Sequence, residues 1–250
     1  MRLTWEIEPD DVQRVKSFLA LHKSSPFVKR RKERNCRSDK PKVRKDKFWR
    51  QLVACLLTTQ QRSGPGSAVT RFINNRPFSL NFKLCLAQND LRGFALDLLT
   101  EFGGLRRTNK IADELQSNLQ RLENGLWTDT MQVLNELRTK QTASAERIAA
   151  DFIDDNFKGF GPKQSRNLLQ SLGLSTYEIP IDSRITKWLN DFGFPVTLSA
   201  TGLSDRHYYN FVSTGFQQLC KRAKIMPCVL DAAIFASFDA DGWTDENVVS

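Results

Sequence analysis

Apolar residues recur at three- and four-residue spacing along most of this chain, and nowhere do they alternate with polar ones for the length of a strand. That periodicity predicts an all-α fold. Pro9-Asp10-Asp11 behind Glu8 marks a first helix, with Val12, Val15, Phe18, Leu19 and Leu21 along its buried stripe. Residues 48–57, almost wholly apolar, predict a helix central to the core. Short helices follow over residues 67–74, 80–87 and 91–102, then 109–122, 131–137 and 143–152, with Asp129 and Thr142 as N-caps. The stripe of Met131, Val133, Leu134 and Leu137 reads as core. A helix runs from residue 182 to about residue 190, where Gly193 and Pro195 break the pattern. Ser204-Asp205 caps a longer one carrying Tyr208, Phe211, Val212, Phe216 and Leu219. Its basic end (Lys221, Arg222, Lys224) suits the negative pole of a helix. Met226-Pro227 opens the last helix, residues 228–237, and the acidic tail from Asp239 onward is expected to fray.

The chain has 250 residues, 40% of them hydrophobic, which suffices for one two-lobed domain or two small ones. A formal charge of +9 favours a polyanionic partner. Much of it lies in a basic arm over residues 29–47, beginning Lys29-Arg30-Arg31-Lys32-Glu33-Arg34. Such a run is either a solvated, mobile loop or an arm that releases counterions from DNA. No apolar run is long enough for a bilayer, and the N-terminus lacks a signal peptide's apolar core, so no membrane association and a cytoplasmic protein with reduced thiols are expected. Cys36, Cys55, Cys85, Cys220 and Cys228 are scattered without Cys-x-x-Cys spacing, so no zinc or iron–sulfur site is expected.

One stretch departs from plain helical periodicity. In Asn156-Phe-Lys-Gly-Phe-Gly-Pro-Lys163, two glycines fall between two helical runs, and Pro162 suits the first turn of the second. Gly159 and Gly161 therefore predict a tight hairpin between two helices. Backbone N–H groups at such a helix start can hold a phosphate without reading a base. A short helix then ends at Gly173, and Tyr177-Glu-Ile-Pro-Ile-Asp182-Ser-Arg follows.

This hairpin, with its lysine and the Ile-Pro-Ile-Asp segment, resembles the helix-hairpin-helix DNA glycosylase superfamily over residues 152–189. The lysine directly after the hairpin is similar to that of the bifunctional members, the 8-oxoguanine DNA glycosylase/AP lyases above all. The resemblance implies a fold with duplex DNA lying in a cleft between two lobes. Residues 1–63 plus 174–250 would form one lobe and residues 64–173 the other. It implies removal of a damaged base, best an oxidised guanine, and then β-elimination at the abasic site. Lys163 would attack the sugar C1′ and carry it as a Schiff base, and Asp182 would stabilise the developing cation. Taken singly, Lys163 is an ordinary first-turn lysine and Asp182 an ordinary N-cap; the hairpin beside them is what suggests catalysis. Asn167 and Phe235 would sandwich the extruded base, and Asp231, one turn before Phe235, would accept from a purine's N1–H and amino group. Gln60 or Gln61 would fill the vacated stack. Arg184 stands where the group commonly has histidine and would hold a phosphate. The resemblance calls for no redox cofactor or catalytic metal, though the hairpin often holds a monovalent cation. It implies a monomer acting at the nucleoid. Two other readings fit the same residues: an enzyme for another lesion, such as an oxidised pyrimidine or modified base, and a non-catalytic DNA-binding module.

Overall fold

The computed structural model describes residues 4–239 and 242–244, and among these every regular element is helical. In chain order they are α1 (Pro9–His22), α2 (Pro26–Asn35), α3 (Lys45–Leu57), α4 (Ala68–Asn74), α5 (Phe82–Leu86), α6 (Leu91–Phe102), α7 (Thr108–Arg121), α8 (Trp127–Thr139), α9 (Ala143–Asn156), α10 (Pro162–Ser171), α11 (Ser183–Phe192), α12 (Arg206–Ala223) and α13 (Pro227–Ser237).

Local chemistry sets most of the boundaries. Glu8 and Asp11 form a reciprocal capping box at the start of α1, whose last turn points Leu21 outward, so that residue is exposed rather than part of the buried stripe. Ser67, Thr142 and Asp205 each accept a backbone N–H as N-caps of α4, α9 and α12. Asp129 is not a cap. A π turn over Leu122–Leu126, with Gly125 at φ +113°, bends α7 directly into α8, and buried Trp127 already belongs to the helix.

The largest departure is α2. The first part of the basic arm, residues 29–35, is neither loop nor free arm but a helix packed on α13 through Val28, Cys228, Ala232 and Ala233. Lys29, Arg30 and Lys32 stay exposed, while Arg31 turns inward. Lys40 is buried too, donating to the Asn35 carbonyl and, at 2.8 Å, to the Thr176 hydroxyl.

Two main apolar cores result. The first joins α3 to α10 and includes Phe48, Trp49, Leu52, Leu99, Ile111, Leu115, Ile153 and Leu168. The second gathers α1, α11, α12 and α13 around Val15, Ile185, Tyr209, Phe216 and Ile234. The sequence-based lobe boundary at residue 64 does not follow this division: α3, assigned there to the terminal lobe, lies within the first core. Phe48, Cys55 and Leu57 are buried as well as the Trp49, Leu52, Val53 and Leu56 stripe, so α3 is apolar on more than one side and is enclosed rather than laid on a surface.

An irregular strap, residues 172–182, crosses from the first core to the second. Glu146 of α9 holds it by accepting the backbone N–H groups of Thr176, Tyr177 and Glu178, each at 2.7 Å. Burial pushes this carboxyl up to about 7, against the pull of those donors. Beside it, fully buried Glu178 pairs with Arg166 Nε at 2.9 Å and with Arg147 at 2.8 Å. The tail is not frayed at its start: Asp239 pairs with Arg184 at 2.6 Å, and Trp243 packs on Phe27 at 4.4 Å between centroids. Residues 240–241 and 245–250 of the expected tail lie outside the described residues.

Candidate active site

The hairpin forms between α9 and α10, and its two glycines differ. Gly159 has φ +82°, and a Cβ there would stand 2.6 Å from the Glu114 carboxylate and from Leu56 Cδ2. It is glycine for conformation and for packing alike. Gly161, the N-cap of α10, is extended at φ −130°, and a Cβ there would meet no atom of the described residues within 4 Å; the backbone is left open outward. Asn118 pins the turn from beneath, donating to the Lys158 carbonyl at 2.9 Å and accepting its N–H at 2.7 Å. Gln164 anchors α10 on the end of α3 by donating to the Cys55 carbonyl at 2.7 Å.

Behind the hairpin lies a cavity of about 170 Å³. It brings Lys163 and Asn167 of α10, Asp182 at the head of α11, and Asp231 and Phe235 of α13 into one lining. Lys163 is half-buried, with its Nζ 3.4 Å from Gln164 Oε1. Asp182 does cap α11: its Oδ1 accepts from Arg184 N at 2.9 Å and Ile185 N at 3.0 Å. No hydrogen bond among the described residues engages its Oδ2. The cap therefore fixes the carboxylate without exhausting it. Asn167 donates to Gln164 Oε1 at 3.1 Å.

The expected base-reading pair is more constrained than the sequence suggests. Asp231 is buried, and its Oδ2 already accepts from Arg31 at 2.6 Å and Gln170 at 2.9 Å. Burial pushes this carboxyl up to about 6; Arg31 opposes the rise, and the nearby Asp182 charge adds to it. Phe235 is stacked on Phe27 at 5.2 Å and carries the Arg184 guanidinium 4.1 Å from its ring centroid. A base entering here meets an aromatic group that is already engaged, not one open face.

Two further expectations change. Arg184 is not a free phosphate ligand: it donates to the Phe235 carbonyl at 2.8 Å, pairs with Asp239, and is 18% exposed. Gln61 donates to the Leu57 carbonyl at 2.5 Å and accepts from Arg106 N at 2.9 Å, so both ends of its amide are engaged. Gln60 is exposed, in the left-handed region at φ +57°, at the tip of the turn. Phe27, Gln170 and Trp243 also line the cavity, and none of them carried a site role in the sequence; Arg31, read there as part of the basic arm, lines it too. Phe27 and Arg31, one helical turn apart on α2, share the face that meets α13; that spacing was the available signal.

Among the described residues the chain is all-helical, with a two-helix hairpin opening onto a cavity lined by a lysine and an aspartate. No protein-family model matches the sequence, and no curated protein matches it. Solved structures do match the fold. The 8-oxoguanine DNA glycosylase of Methanocaldococcus jannaschii superposes with a TM-score of 0.62 at 18% identity, covering 94% of this chain and 98% of that one. The same organism's 8-oxoguanine glycosylase/lyase bound to a 15mer DNA containing 8-oxoguanine gives 0.64 at 15% identity, covering 93% and 100%. The 8-oxoguanine DNA glycosylase of Thermotoga maritima gives 0.64 at 14% identity, covering 94% and 99%. At these identities the likeness is one of fold.

Proposed function

We propose that this chain is a DNA glycosylase with AP-lyase activity that removes 8-oxoguanine or a related oxidised purine from duplex DNA. The observation that carries this reading is the convergence of Lys163 and Asp182 on one cavity directly behind the open hairpin backbone. The fold it shares with two 8-oxoguanine glycosylases, one of them seen with lesion DNA, supports the same class.

In this mechanism the phosphate backbone rests on the N–H groups at Gly161 and the start of α10, and the target nucleotide leaves the stack for the cavity. Gln60, exposed at the tip of its turn, fills the gap. Lys163 Nζ, as the free amine, attacks C1′ while the bond from C1′ to the base breaks. Asp182 stabilises the positive charge that develops on the sugar, which is the step where a fixed carboxylate contributes most. Ring opening gives a Schiff base on Lys163. Loss of a proton from C2′ then expels the 3′ phosphate. Asp231 faces the base edge with acceptor character, and Gln170 and Arg31 hold it in place.

Borohydride trapping on a panel of single-lesion duplexes tests the proposal. A covalent complex with 8-oxoguanine DNA, lost in Lys163→Gln although the variant still binds DNA, is the expected result. Wild-type trapping by Lys163→Gln removes the nucleophile assignment. Trapping only on an oxidised pyrimidine keeps the enzyme class and refutes the lesion. Binding without trapping or base release on any duplex leaves a DNA-binding module.

A further inference from the structure

Cys36 and Cys228 lie outside the lysine–aspartate chemistry, yet they sit where the two helices flanking the aromatic side of the cavity meet. Cys36 is the C-cap of α2 and Cys228 is in the first turn of α13. Their Sγ atoms are 3.5 Å apart, in hydrogen-bond contact, although 192 residues separate them in the chain. Cys228 is fully buried, with its backbone N–H fixed on the Thr176 carbonyl at 3.0 Å. Cys36 is partly exposed, so a small solute reaches it first. The other three cysteines are buried, and none has a sulfur partner among the described residues.

We propose that Cys36 and Cys228 form a peroxide-reactive dithiol site that closes to an intramolecular disulfide joining α2 to α13. The roles follow from the surroundings. The Cys228 hydrogen bond pushes the Cys36 thiol down to about 7, and the Lys40 and Lys32 charges help against the opposing effect of burial. Contact with Cys36 and burial both push Cys228 up. Cys36 is therefore the attacking thiolate and Cys228 the resolving thiol. Cys36 sulfur attacks one oxygen of hydrogen peroxide; the O–O bond breaks, and the departing hydroxide takes a proton to leave as water. Cys36 is then a sulfenic acid. Cys228 sulfur displaces its hydroxyl, which leaves as a second water carrying the Cys228 proton. Two thiols and one peroxide give one disulfide and two waters. Closure shortens the sulfur separation from 3.5 Å to the roughly 2.05 Å of an S–S bond. The bond ties the helix bearing Phe27 and Arg31 to the helix bearing Phe235 and Asp231.

The test uses the full chain. Native protein is treated with hydrogen peroxide, remaining thiols are alkylated with N-ethylmaleimide in denaturant, and the unreduced digest is mapped by mass spectrometry. The expected result is a peptide linking Cys36 to Cys228, reversed by dithiothreitol, with Cys55, Cys85 and Cys220 recovered alkylated. In Cys36→Ser the linked peptide is lost and Cys228 is recovered alkylated. The wild-type map is decisive even where a variant folds poorly. Cys36 recovered as a sulfinic acid beside a free Cys228 overturns the proposal. So does a link that forms as readily in urea-unfolded protein, because the fold would then contribute nothing.

Discussion

Replacing each hairpin glycine with alanine separates folding from recognition at two positions only one residue apart. In Gly159→Ala the new Cβ meets the Glu114 carboxylate and Leu56 at 2.6 Å, and the residue is held at φ +82°. The left-handed conformation costs an alanine about 1–2 kcal/mol, and overpacking adds about 1–3 kcal/mol. The loss is roughly 2–5 kcal/mol, which lowers Tm by roughly 5–15 °C in a chain of this size. Gly161→Ala meets nothing within 4 Å and keeps an ordinary φ of −130°. Weaker capping and a stiffer unfolded chain nearly cancel, so Tm stays within about 3 °C. That same Cβ projects into the space a phosphate must enter. Losing one or two charge-assisted hydrogen bonds at about 1.5 kcal/mol each weakens duplex binding by roughly 10- to 100-fold. Thermal unfolding and fluorescence anisotropy on a labelled duplex read the two effects. A Gly161→Ala protein with normal Tm and wild-type affinity refutes the hairpin as phosphate ligand. An unchanged Tm in Gly159→Ala refutes the packing argument.

Asp182→Asn preserves the cap on α11 but removes the charge, so single-turnover base release slows by roughly 100- to 1,000-fold while lesion DNA still binds; a rate near wild type rules out electrostatic stabilisation by Asp182. Asp231 has a folded-state carboxyl raised to about 6, so between its unfolded value, about 4, and about 6 the native state holds the proton more tightly, and stability from this group is lost as pH rises through that window. The Tm difference of Asp231→Asn minus wild type should therefore become more positive from pH 4 to pH 7, and a flat difference removes the shift. Glu178→Gln removes the fully buried partner of Arg166 and leaves it only the longer 3.5 Å pair with Asp151, so it should destabilise the fold by roughly 3 kcal/mol, read as a lower denaturant midpoint; an unchanged midpoint shows that the pair is not holding the strap. Neutralising exposed Arg30 and Lys32 should flatten the slope of log affinity against log salt with Tm unchanged, whereas Arg31→Ala should lower Tm by stranding Asp231; an unchanged slope in the first case takes α2 off the DNA.

Helix content and the hairpin were legible in the sequence because both are local. The 3.6-residue period, Thr142 and Asp205 as caps, and Pro162 behind two glycines act within a turn or two of backbone, and their physics needs no partner from elsewhere in the chain. That Lys163 and Asp182 line one cavity could be anticipated only through a resemblance, since nothing in either residue's own stretch of sequence sets it apart from a surface lysine or an N-cap. Tertiary structure decided the rest. Helix α2 is too charged to announce itself, and it is helical where it packs because α13 covers its thin apolar face. Arg31 reaches Asp231 across 200 residues of sequence, so a side chain that read as a phosphate contact became a wall of the cavity. Arg184 turned inward for the same reason: Asp239 and the Phe235 ring offered its guanidinium a partly buried ion pair and a stacking surface. The orientation of a long cationic side chain depends on which distant groups the fold places within reach, and neither periodicity nor local propensity encodes that.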